Sequence, residues 1–173
     1  FLIREGFTQV FTPKIVASGT EGGTELFSVQ YFDEKAYLCQ SPQFYKQMLV
    51  GAGFERVFEV GHVYRAEKHA TSRHLNEYVS LDLEMGFIEN EHDVMDLENR
   101  LLRFMFEYVG ERCEGELKSL DVVLPVVPVI PKVPLLEALE LLEREFGKTH
   151  EGRDLDPEGE RLLSKYVYDT TGS

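Results

Sequence analysis

Residues 57–87, VFEVGHVYRAEKHATSRHLNEYVSLDLEMGF, alternate apolar and polar side chains through two runs separated by a charged loop. A period of two places successive side chains on opposite faces of a strand, so the runs predict a β-hairpin. In the first run Gly61, Val63, Arg65 and Glu67 share one face, and Val60, His62, Tyr64 and Ala66 share the other. In the second, Val79, Leu81, Leu83, Met85 and Phe87 point one way while Ser80, Asp82, Glu84 and Gly86 point the other. Such a polar row can face water, or it can face a ligand.

Elsewhere the pattern is coarser. Phe1–Glu5 reads as the end of a helix stopped by Gly6, and Phe7–Pro13 as a strand or extended segment with proline at an edge or terminus. Ser18–Thr24 is a glycine-rich loop without the GKS/GKT ending or GxGxxG spacing of phosphate-cradling loops. Leu26–Tyr31 and Ala36–Cys39 predict two short strands around a turn at Phe32–Lys35. Ser41 as cap and Pro42 at the first helical position predict a helix running to about Gly51. After the hairpin, Asn90 caps a helix whose positive end carries Asp93, and Val94, Leu97, Leu101, Met105 and Val109 form a packing stripe. Pro125, Pro128 and Pro131 break the apolar stretch Val122–Val133, which predicts an extended crossing segment. Helices over Leu135–Phe146, stopped by Gly147, and from Asp156-Pro157 onward complete the pattern. With no repeat and no regular βαβ units, the expected fold is α+β: an antiparallel sheet with helices on one side.

A chain of 173 residues, 43% hydrophobic, fits one domain with a substantial core. No apolar run reaches membrane-spanning length and no signal-peptide pattern opens the chain, so a cytoplasmic protein is expected. Two cysteines, Cys39 and Cys113, exclude a disulfide framework and a cysteine zinc site. The net charge of -13 argues against charge-driven binding of nucleic acid. Yet Arg56, Arg65, Lys68, Arg73, His62, His69 and His74 fall near the hairpin, a local reversal that leaves room for an RNA end. The chain opens mid-pattern on FLIREGF without an initiator methionine and closes on DTTGS. That reads as a piece of something longer, with a processed or tagged domain as the alternative.

Arg65 and Glu67, two apart on one face, could hold a phosphate through the guanidinium fork and an amino group through the carboxylate. ATP carries both groups; a surface salt-bridge ladder fits the same spacing. Asp82 and Glu84 repeat the arrangement and could hold magnesium or a ligand ammonium, or solvate the sheet. Nothing sets them across a cleft as glycosidase chemistry needs. Lys46, near the positive end of its helix, suits a ligand carboxylate, and a solvated lysine is the alternative. Gln40 and Gln43 place donor and acceptor groups around that helix start. His62, on the apolar face, reads as a packed, hydrogen-bonded histidine, and Ser41 lacks a nucleophile elbow.

Tyr64-Arg65-Ala66-Glu67, then Arg73-His74-Leu75-Asn76-Glu77, then Asp82–Glu84, resemble the second signature motif of class II aminoacyl-tRNA synthetases. Gly6-Phe7 through Pro13 resembles the first motif. TEGGTELF (Thr20–Phe27), QSPQFYKQ (Gln40–Gln47) and HATSRHLNEYVSLDLEMGF are similar to the aspartyl-tRNA synthetases of archaeal and eukaryotic type. The similarity covers nearly the whole chain and is weakest over Glu111–Val133. It implies a class II synthetase-like antiparallel sheet flanked by helices, with residues 1–173 a partial catalytic domain. It implies that Arg65 grips the α-phosphate of ATP and steadies the transition state, and that Glu67 receives the adenine amino group. It implies that His74 helps bind the outer phosphates, with Arg73 near the tRNA acceptor end. Glu21 and Gln43, with Gln40 close by, would orient the ammonium of L-aspartate, Lys46 would pair with its side-chain carboxylate, and Pro13 would lie at a homodimer interface. The asparagine enzymes resemble the chain through the second motif but tend to carry an acidic residue in place of Lys46, which favours aspartate. The third motif and the anticodon-binding barrel are expected to be missing, and with them most ligands of Mg2+. The parent would then be an aspartate–tRNA ligase acting on tRNA-Asp, with tRNA-Asn left open, and the isolated segment inactive. A catalytically inactive paralogue that dimerises or binds nucleotide, and an asparaginyl-tRNA synthetase, are the alternatives.

Overall fold

The computed structural model describes residues 1–19, 26–66, 75–149 and 154–171. The chain forms two compact units, Phe1–Val94 and Met95–Ser173.

The first unit is built on two three-stranded sheets. In one, β1 (Thr8–Gln9) lies beside β5 (Arg56–Tyr64), which pairs with β6 (Glu77–Met85). In the other, β4 (Glu34–Leu38) runs between β2 (Ile15–Val16) and β3 (Ser28–Tyr31). Among the described residues the pairings are antiparallel, as expected, apart from that of β1 with β5, which is parallel. The sheets meet at Cys39, whose N–H donates to Lys14 O and whose carbonyl accepts from Tyr64 N–H, both at 2.9 Å. A buried residue thereby satisfies its backbone groups on both sides.

The β5–β6 register sets Val57 opposite Glu84, Glu59 opposite Asp82, Gly61 opposite Ser80 and Val63 opposite Tyr78. Directly opposed residues share a face, so the polar row read from the alternation is a single face running across both strands. The other face is less covered than its apolar character suggests. Val60, Val79 and Leu81 are exposed, and His62 is exposed too, with Nδ1 3.2 Å from Glu77 Oε1 and its ring stacked on Tyr64. The expectation of a packed histidine is corrected: only the Phe58 end of that face is buried.

Helix α1 (Gln43–Leu49) starts at Pro42, with Lys46 N–H donating to Pro42 O, and Ser41 Oγ accepting from Gln43 N–H at 3.3 Å. The helix does not stop at Gly51. Val50–Phe54 widens into a π-helical turn, released by Gly53 at φ 99°. Phe1–Glu5 closes as hydrogen-bonded turns, short of a helix, and Gly6 takes φ 84°.

Helix α2 (Glu91–Arg112) opens as expected, with Asn90 Oδ1 accepting from His92 N–H and Asp93 Oδ2 from Glu89 N–H. Of its apolar stripe only Leu97 is fully buried. In the second unit a short α3 (Glu114–Ser119) precedes the extended proline segment. Asn99 Nδ2 donates to Pro128 O and Arg103 Nε to Val127 O, so α2 satisfies carbonyls that have no strand partner. Helices α4 (Leu135–Phe146) and α5 (Pro157–Thr171) follow. Gly147 ends α4 in the left-handed conformation, and Asp156 Oδ1 caps α5 by accepting from Gly159 N–H at 2.7 Å. Ala138 and Leu142 are buried, and Phe146 meets Tyr166 edge-on. Among the described residues no helix is long and apolar enough to cross a membrane.

Candidate active site

Lys46 is 4% exposed, which removes the alternative of a solvated surface lysine. It lies midway along the seven-residue α1, its N–H making the helix's opening bond to Pro42 O. A buried ammonium needs counter-charge and acceptors. It has both, from the polar face of β6: Asp82 Oδ1 at 3.0 Å, Glu84 Oε2 at 3.6 Å and Leu83 O at 3.2 Å. Gln43, one turn earlier on α1, directs Nε2 to Glu84 Oε2 at 3.4 Å, and Ser80 Oγ donates to Asp82 Oδ2 at 2.7 Å. Two carboxylates against one ammonium leave one net negative charge. Asp82 and Glu84 remain partly exposed, so the cluster can exchange internal partners for those of an incoming ligand.

A second cluster occupies the same face. Glu59 is 2% exposed and accepts from Thr12 N–H at 3.1 Å, Thr12 Oγ1 at 2.6 Å and Lys14 Nζ at 2.8 Å. Desolvation by burial acts to raise its pKa. The Lys14 ammonium and the two Thr12 hydrogen bonds outweigh that and hold it below the usual glutamate value. Cys39, fully buried between the sheets, has its thiol pushed up chiefly by desolvation, while Sγ donates to Ser41 O at 2.9 Å.

Of the residues singled out from the sequence, Lys46, Gln43, Asp82 and Glu84 come together. Arg65 is half-buried beyond the end of β5, where its N–H donates to Asn76 O at 2.9 Å and continues the ladder. Gln40 is buried, and its Oε1 lies so near Gly19 that a Cβ there would approach it to 3.6 Å. Pro13 is exposed. Glu21, Glu67, Arg73 and His74 lie outside the described residues. A hollow of about 370 Å³ borders α1, lined by Val16–Ser18, Phe44, Tyr45, Gln47 and Met48. Its walls do not include Lys46 or Gln43. Among the described residues no three His, Cys, Asp or Glu side chains gather in a metal-ligating group.

The sequence pattern singled out Ser80 with the polar row but not Glu59, Lys14 or Thr12. Glu59 was accessible by extending the Gly61–Arg65 face two residues back. Lys14 was not, because its partner is 45 residues away.

A family model for class II tRNA synthetases (D, K and N) matches residues 1–173. The chain belongs to that synthetase family. The aspartate–tRNA(Asp/Asn) ligase of Deinococcus radiodurans is 56% identical over 170 residues, covering 98% of this chain and 39% of that protein. The aspartate–tRNA(Asp) ligase of Pyrococcus abyssi is 49% identical, covering 100% and 40%. The chain thus spans about two fifths of these synthetases. Among solved structures, asparaginyl-tRNA synthetase from Pyrococcus horikoshii, complexed with asparaginyl-adenylate, matches with TM-score 0.81 at 32% identity, over 95% of this chain and 38% of that one. A putative aspartyl-tRNA synthetase from Leishmania major matches with TM-score 0.77 at 29% identity, over 99% and 40%.

Proposed function

We propose that the chain is part of the catalytic domain of an aspartate–tRNA ligase, which joins aspartate to ATP as an adenylate and passes the aspartyl group to tRNA. The observation that carries the reading is Lys46, buried and held between Asp82 and Glu84. A buried ammonium is suited to the side-chain carboxylate of aspartate and poorly suited to the neutral amide of asparagine. Losing such a pair in a desolvated site costs roughly 2–5 kcal/mol.

On this reading Asp82 and Glu84 orient Lys46, and together with Gln43, Gln40 and Glu21 they form the acceptor side for the amino acid's ammonium. Arg65 meets the α-phosphate of ATP. As the carboxylate of aspartate attacks and pyrophosphate leaves, charge builds on the phosphoryl oxygens, and the fixed guanidinium stabilises it more than the ground state. Glu67 receives the adenine amino group, and His74 and Arg73 meet the outer phosphates and the tRNA acceptor end. Mg2+ would neutralise the ATP phosphates. The described residues offer no cluster for it, so no step is assigned to the ion through them. Exposed Pro13 suits a homodimer surface. The protein would work in the cytoplasm on tRNA-Asp, with or without tRNA-Asn.

Aspartate-dependent ATP–pyrophosphate exchange by the full-length protein tests the reading, with Arg65→Ala as the control. Exchange by the wild type, lost in a folded Arg65→Ala variant, is expected. Its absence from the wild type would instead point to an inactive paralogue. The 173-residue chain alone is expected to remain at background.

A further inference from the structure

The polar face of β5–β6 carries two ammonium–carboxylate pairs side by side, and their arrangement has to be sorted. Glu59 and Asp82 are direct cross-strand partners, so two carboxylates face each other across the ladder. Like charges so placed repel unless each has its own cation. Lys14 serves Glu59 at 2.8 Å, and Lys46 serves Asp82 at 3.0 Å. The Lys14 ammonium hangs over Gly61: a Cβ there would come within 3.2 Å of Lys14 Nζ and 3.0 Å of Glu59 Oε1. Gly61 is opposite Ser80, whose hydroxyl is already engaged with Asp82. Lys14 therefore stands beside the Asp82 cluster, tethered away from it by Glu59 and by its own contact with Thr12 Oγ1 at 3.3 Å.

We propose that Lys14 and Glu59 are a positioning pair, which by neutralising each other reserves Asp82 for Lys46 and so sets the charge presented to the ligand's side chain. Neither residue touches the ligand. Without Glu59, Lys14 is released next to Asp82 and competes with Lys46. Without Lys14, a buried carboxylate faces Asp82 uncompensated and draws Lys46 toward itself. Removing both leaves Lys46 with its original partners. The functional meaning rests on Lys46 reading a carboxylate, but the sorting of charges does not.

The test is a double-mutant cycle on the full-length protein, read without ligand. NMR of the Lys46 ammonium gives its exchange with water and its scalar coupling across the hydrogen bond to Asp82. Glu59→Gln and Lys14→Met are each expected to speed that exchange about tenfold and to abolish the coupling, whereas the double variant returns both to near wild type. Thr12→Val, which removes a hydrogen bond and no charge, is expected to leave the signal in place. If a single variant fails to fold, Gly61→Ala presses a methyl group against both Lys14 Nζ and Glu59 Oε1 and, by displacing the pair, is expected to shift the Lys46 signal in the same direction. Unchanged Lys46 signals in the singles, or a double variant as disturbed as they are, would overturn the proposal. Either result stands whatever amino acid the protein binds, so it is separable from failure of the ligase reading.

Discussion

Lys46 Nζ lies 3.0 Å from Asp82 Oδ1, across 36 residues of sequence, and this pair ties α1 to the polar face of β6. The ion pair is structural in the ligand-free chain, and its partly exposed carboxylates keep it open to a ligand. Replacing Lys46 with Met leaves Asp82 and Glu84 without their shared cation. Their side chains are 23% and 27% exposed, so water relieves part of the penalty. The expected loss is about 1–3 kcal/mol, below the full cost of orphaning a buried charge. Urea denaturation of the two proteins measures it. An unchanged midpoint would contradict the ion-pair assignment.

Glu59 makes stability depend on pH in a stated direction. Its folded pKa is lowered, because Lys14 and Thr12 outweigh the desolvation that opposes them. A depressed carboxyl contributes stability that is fully present above its unfolded value, about 4.3. The contribution disappears as pH falls through the lower folded value. Urea midpoints from pH 6 downward are therefore expected to fall more steeply in wild type than in Glu59→Gln below about pH 4.3. Parallel curves would remove Glu59 from the account.

The two cysteines are expected to differ in reactivity. Cys39 is fully buried with its thiol pushed up mainly by desolvation, whereas Cys113 is half-buried. Thiolate is the reactive form, so a thiol reagent at pH 8 should label Cys113 first and reach Cys39 only on unfolding. Mass spectrometry of digests decides the order.

Gly147 closes α4 at φ 64°, a conformation that costs any residue with a Cβ. Gly147→Ala is expected to lower stability by about 1 kcal/mol. Nothing lies within 4 Å of where the new Cβ would sit, so the loss is one of backbone strain alone. Thermal unfolding of the variant measures it.

The hairpin was readable because its alternation is long, and a one-residue slip would turn every side chain to the wrong face. The observed register keeps Ser80, Asp82 and Glu84 with Glu59, Gly61 and Val63. The ends of α4 and the start of α5 were readable for a local reason: Gly147 and Asp156 act within their own turns. What escaped depends on distant partners. The parallel pairing of β1 joins Thr8 to Val57, and no local pattern announces it. Lys46 is buried because two carboxylates on β6 meet it, and Lys14 is tethered because Glu59 does. Short α3 has no apolar stripe to mark it, and His62 is exposed because the apolar alternation of its face does not itself supply a covering layer.

The central claim is that the buried ammonium of Lys46 selects a carboxylate side chain. The direct measurement is the ratio of kcat/KM for aspartate over asparagine in pyrophosphate exchange, for the full-length protein and its Lys46→Gln variant. Loss of a desolvated charge pair predicts a fall in aspartate use of roughly a hundredfold, with the ratio shifted toward asparagine by a similar factor. Equal losses for both amino acids, or an unchanged ratio, would contradict it.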